Sequence, residues 1–275
     1  MIEGVTHSSV THRRNSRATG RRRPTIWTGL NTTETELLAA IGIKPTCRVL
    51  TRRPLTVAFA RGFWVPAVLF SLLVDERWYR VEQYSAFAAA TVCAFTLLLG
   101  PIVHEGAHLW CARKVKGITP RMLLVRPVGG VAIVEGRYQD ARGAALFAAG
   151  GLLGTLAYVV ALVTLGLLVE SPPFRMALLL SALVNGGLLA VNLVPVAPTD
   201  GYVLVRSGLW ASLGNRADAE ARAIRWSRFV LVYCSSLALL LFTRDTKGGL
   251  LALVILAALV ASHSVAASRS APSPI

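Results

Sequence analysis

Apolar residues along this chain gather into long runs separated by short polar and basic stretches. Six runs are evident: Leu55–Val74, Ser85–Cys111, Gly143–Val169, Met176–Val194, Phe229–Phe242 and Gly248–Ser262. A helix needs roughly 18 to 20 apolar residues to cross a hydrocarbon layer about 30 Å thick. The second, third and fourth runs meet that length. The last two are short, and must extend past these limits or form a tilted hairpin. Leu55–Val74 contains Arg61, which has to snorkel or mark a later start to the span. Between the second and third runs the pattern changes. Met122–Val125 and Val131–Val134 are brief apolar segments around Gly129-Gly130, and they read as strands joined by a turn. The expected fold is therefore an all-α membrane protein with about six transmembrane helices and a short β-hairpin.

Composition agrees with that class. Hydrophobic residues make up 54% of the 275 and charged residues 16%, with a mean hydropathy of +0.55. A net charge of +15 would ordinarily point to nucleic acid, but its distribution points elsewhere. Ten Lys and Arg lie in residues 1–54, seven between Arg113 and Arg142, five between Arg206 and Arg228, and Arg269 lies in the tail. The alternate connections carry only Arg77, Arg80, Arg175, Arg244 and Lys247. Such asymmetry marks the cytoplasmic side. It places both termini inside a multi-pass protein of the cell membrane, with anionic lipid as a partner and no nucleic acid.

Three segments are expected: a basic cytoplasmic arm over 1–54, largely disordered; a polytopic domain over 55–268; and a short tail over 269–275. Residues 1–30 have no apolar h-region and so do not read as a secretory signal, although a transit peptide or a start-site extension has similar composition. Thr33–Ile43 opens polar and turns apolar, as a short helix does. Cys47, Cys93, Cys111 and Cys234 form no CxxC pair, which argues against a disulfide framework or a thiolate metal site.

The chemistry is concentrated in His104-Glu105-Gly106-Ala107-His108, near the inner end of the second run. Positions i and i+4 of a helix share a face, so His104 and His108 can bind one Zn²⁺ while Glu105 reaches a water beside it. Three ionisable groups within five residues of a span are costly without a compensating cation. Zinc also needs a third protein ligand. The stretch after His108 offers only Arg113, Lys114 and Lys116 before Glu135. Asp200 is the better candidate: it follows the fourth run, whose inner end should lie level with the two histidines. Pro195 and Pro198 end that helix, and Gly201 follows.

HEGAH with the basic stretch Cys111–Gly117, Asn192-x-x-Pro195 leading to Asp200-Gly201, and Pro127–Gly130 between two apolar runs together resemble the site-2 protease family of intramembrane zinc metalloproteases, in a compact form without a PDZ domain. The resemblance covers roughly residues 85–205. It implies one zinc ion held by His104, His108 and Asp200, with Glu105 as general base. It also implies a polar role near the metal for Asn192, at the oxyanion or the substrate strand. A helix–helix hydrogen bond is an equal reading of Asn192, and Asn185 reads as packing. The substrate implied is a transmembrane protein or peptide, which must unwind to expose its carbonyls, and a hairpin edge could pair with it by strand addition. One departure is Ala149-Gly150-Gly151, where family members often carry Ala-Gly-Pro, with Gly154-Thr155 in place of a downstream Asn.

Two other readings stay open. One is a membrane-anchored HExxH protease acting on soluble or misfolded proteins, with Glu220 as the third ligand. The other is a non-catalytic zinc-binding membrane partner.

Overall fold

The computed structural model describes residues 48–52, 55–73, 83–126, 129–244 and parts of 256–264. Its elements in chain order are β1 (Arg48–Arg52), β2 (Leu55–Phe59), α1 (Val65–Leu73), α2 (Gln83–Ala112), β3 (Ile118–Val125), β4 (Gly130–Gly136), α3 (Ala141–Leu168), α4 (Pro172–Leu193), α5 (Asp200–Leu213) and α6 (Arg216–Arg244).

Among the described residues, three helices are long and apolar enough to cross a membrane: Ala86–Ala112 within α2, Ala141–Leu168 and Pro172–Leu193. They coincide with the second, third and fourth apolar runs. Their outer faces carry exposed Phe87, Phe95, Leu167, Leu168 and Leu183, as suits a surface wetted by lipid tails. Buried faces pack through small residues between α2 and α4, and through leucine and alanine between α3 and α4. Ala89, Cys93 and Ala177 join α2 to α4, while Leu162, Leu178 and Ala182 join α3 to α4. Close approach of helices through small side chains is how membrane helices gain contact when lipid offers no hydrophobic drive.

The first apolar run departs from expectation. Leu55–Val74 is not one helix: its first five residues are strand β2, and the helix begins only at Val65. Val57 and Phe59 lie against Leu109, Leu123 and Val125, while Ala58 packs with Met122 and Leu124. This two-residue alternation buries both faces of the strand, and the left-handed backbone at Gly62 (φ 70°) ends the extended stretch before α1. An apolar run of this length fits helix or strand, and its partners decide.

The all-α expectation is corrected accordingly. The anticipated hairpin exists as β3 and β4 but is half of a four-stranded sheet ordered β1-β2-β3-β4. β2 runs parallel to β3, with Val57 opposite Leu123. β3 runs antiparallel to β4, with Leu123 opposite Ala132. Residues 48–52 form β1. The fifth apolar run is the second half of α6. Most of the sixth, and the proposed Thr33–Ile43 helix, lie outside the described residues.

Two features of this arrangement position the site. α2 and α4 run in the same direction, so their C-terminal ends share a level. β4 is a sheet edge, and α2 packs beside it.

Candidate metal centre

His104 and His108 occupy one face of α2, a turn apart, and both are buried. Their Nε2 atoms stand 3.2 Å from each other. Asp200 Oδ2 is 3.3 Å from each of them. Asp200 is the first residue of α5, which Thr199 caps by accepting a hydrogen bond from the Tyr202 amide. The Thr199 hydroxyl itself donates to the Val194 carbonyl. This pins the segment that turns from α4 into α5. Gly201 lies directly on the Leu193 carbonyl, where a Cβ would overlap it. The loop amide of Ala197 donates to Ser227 Oγ on α6 at 3.0 Å, and that hydroxyl also meets His263 Nδ1 at 3.1 Å.

The outward ring nitrogens settle the tautomers. His108 Nδ1 is 2.7 Å from the Phe147 carbonyl, an acceptor, so Nδ1 carries the proton. His104 Nδ1 is 2.8 Å from Thr155 Oγ1, whose own hydrogen is given to the Gly151 carbonyl. Nδ1 of His104 is therefore protonated as well. Both Nε2 atoms then present lone pairs toward a carboxylate oxygen. Asp200 Oδ2 is itself buried with no hydrogen-bond partner. Three such atoms facing one another repel unless a positive charge, a proton or a metal ion, lies among them.

The spacing suits such an ion. Four-coordinate zinc with bonds of about 2.0–2.1 Å holds its ligand atoms roughly 3.3–3.4 Å apart. Among the described residues, His104, His108 and Asp200 form a group able to hold a metal.

α3 makes room for this centre. Phe147 stacks on the His108 ring, with centroids 4.6 Å apart. A Cβ at Gly151 would fall onto the same ring, and one at Gly154 would meet Ala107. Gly151 thus admits the imidazole. Thr155 supplies the polar contact expected from a different residue.

Glu105 points from α2 toward the sheet. Its Oε2 accepts the Ala132 amide of β4 at 2.7 Å, and Gly130 packs so closely that an added Cβ would lie 2.5 Å from Glu105 Cγ. The free edge of β4 therefore faces the carboxylate beside the metal-binding triangle.

Asn192 is half-buried, and its amide donates to Leu188 of its own helix at 3.1 Å. No described contact joins it to the triangle or to Glu105. Asn185 is buried, donates to Ser181 at 2.8 Å and packs on Gly100. Glu220 accepts from Tyr202 at 2.6 Å and from Arg206 at 3.0 Å, so its two oxygens are engaged away from the histidines. The sequence reading did not assign a role to Phe147, whose contribution is a main-chain oxygen with no residue signature, nor to Ser227 and His263. The Gly-Gly pair at 150–151 was the available signal for close packing against α2.

No family model matches the sequence, and no curated protein matches it either. Among solved structures, the chain is similar to the site-2 protease from Methanocaldococcus jannaschii, at 16% identity and a TM-score of 0.50, over 83% of this chain and 97% of that one. The two share a fold.

Proposed function

We propose that this chain is an intramembrane zinc metalloprotease that hydrolyses peptide bonds in or near transmembrane segments of membrane proteins. The observation that carries the proposal is the convergence of two imidazole Nε2 atoms and a buried carboxylate oxygen at 3.2–3.3 Å, with Glu105 adjacent. His104, His108 and Asp200 would hold one Zn²⁺. When bound there, zinc supplies Lewis acidity, lowering the pKa of a water toward about 7 and polarising a carbonyl. Glu105 takes up the water's proton and returns it to the leaving amine. Thr155 and Phe147 keep both rings oriented. The β4 edge offers main-chain groups to an unwound substrate by strand addition. In that step a substrate carbonyl would compete with Glu105 for the Ala132 amide and release the carboxylate for proton transfer.

The basic loops support a cell-membrane location with both termini cytoplasmic and contact with anionic lipid. The three long apolar helices and the fold of a site-2 protease support the membrane assignment. The test uses full-length protein in lipid nanodiscs, zinc analysis and a panel of tagged single-span membrane proteins. The expected result is one zinc per chain and cleavage that stops in Glu105→Gln while zinc remains. Full cleavage by that variant would refute the role of Glu105. Zinc binding with no cleavage across the panel would favour a non-catalytic partner.

A further inference from the structure

A cavity of about 280 Å³ lies between α1, α2, α4 and the turn of the β3–β4 hairpin, and its walls include Ala67, Phe70, Leu97, Pro101, Gly129 and Leu188. We infer that this cavity is a specificity pocket for a large apolar side chain of the substrate, two or three residues from the scissile bond. The inference rests on the proteolytic reading above and names what the site selects.

Position carries the argument. Leu97, Pro101 and Glu105 are spaced i, i+4, i+8 and share one face of α2. The cavity therefore lies on the Glu105 side of α2, about one helical turn, or roughly 5.4 Å, toward the N-terminal end. Its opposite wall is Gly129, next to Gly130, which packs on the Glu105 side chain. The two elements that join Glu105 to the β4 edge thus also bound the cavity. An extended chain advances about 3.3 Å per residue. Ala132, whose amide Glu105 holds, is three residues from Gly129. A peptide lying along β4 with its reacting carbonyl at Glu105 brings a side chain to the cavity two or three positions away.

Chemistry fixes the class of side chain. The walls are aliphatic or aromatic carbon apart from Asn185, whose amide is already bonded to Ser181, and Arg126, which is exposed at the rim. A leucine or phenylalanine side chain fits the volume and loses no hydrogen bond on entry. An alanine leaves the space unfilled, and a charged group would be desolvated without a partner.

The test measures binding rather than cleavage. Short peptide hydroxamates, whose terminal group ligates zinc, are made with a methyl, isobutyl or benzyl side chain two residues from the hydroxamate, and in a second series three residues away. Affinity for the zinc-loaded protein in nanodiscs is measured by calorimetry. The isobutyl or benzyl compound of one series should bind roughly tenfold or more tightly than the methyl compound. That gap should close in Ala67→Phe, and in Val184→Trp, at a more exposed wall, should the first variant fold poorly. Binding of the methyl compound should persist. Equal affinity of all three side chains in both series, or a gap unchanged in the filled variants, would overturn the pocket and leave the cavity to a lipid chain. If no hydroxamate binds the zinc-loaded protein, the proteolytic reading itself fails and the pocket with it.

Discussion

His104 Nδ1 stands 2.8 Å from Thr155 Oγ1, a residue 51 positions away on the neighbouring helix, and that contact turns the imidazole so that Nε2 faces Asp200. A ligand histidine is oriented by the acceptor at its other nitrogen. Replacing Thr155 by Val keeps the shape and removes the acceptor. Zinc affinity should fall about 10- to 100-fold, while Thr155→Ser should retain most of it. Competition against a fluorescent chelator measures both. Equal affinities in Val and Ser variants would remove Thr155 from the centre.

Asp200 and Glu220 are the two acids that the chain offers as a third ligand. Only Asp200 reaches both histidines, and Glu220 is bound by Tyr202 and Arg206. Purified Asp200→Ala should carry well under one zinc per chain. Glu220→Ala should keep its metal, though the α5–α6 contact loosens. Elemental analysis of the two proteins decides, and the reverse pattern would exchange their roles.

Gly151 is required by volume. A methyl group there occupies the place of the His108 ring, so Gly151→Ala must separate α3 from α2 or rotate the imidazole. Overpacking of this kind costs about 1–3 kcal/mol. Lower thermal stability and reduced zinc content should appear together. Gly186→Ala is the matched control: nothing lies within 4 Å of its added carbon. A stability of Gly151→Ala equal to that of the control would show the packing to be slack.

Ser227 acts on the centre through the loop before Asp200. It is fully buried and accepts the Ala197 amide. Ser227→Ala leaves that amide without a partner, a loss of about 1–3 kcal/mol. Zinc should then dissociate faster on dilution into chelator, because the loop that presents Asp200 is released. An unchanged dissociation rate would confine Ser227 to packing.

Much of this was local and so legible in the residues alone. Span length and a four-residue histidine spacing are properties of a single helix: the spans appear as α2, α3 and α4 close to where the apolar runs place them, and the histidine pair lies on α2. The β3–β4 hairpin is equally local, set by a Gly-Gly turn between apolar segments. The run at 55–74 was not legible, since composition is the same for a buried strand and a helix. Pairing with β1 and β3 makes Leu55–Phe59 extended. The outward contacts of the histidines were also hidden. One acceptor is the main-chain oxygen of Phe147, which every residue type possesses, and the other is a threonine common in membrane helices. The meeting of Asp200 with His104 and His108 depends on where α4 ends relative to α2. That is decided by helix packing across small residues and by a loop held from α6, and no stretch of sequence contains all of those partners.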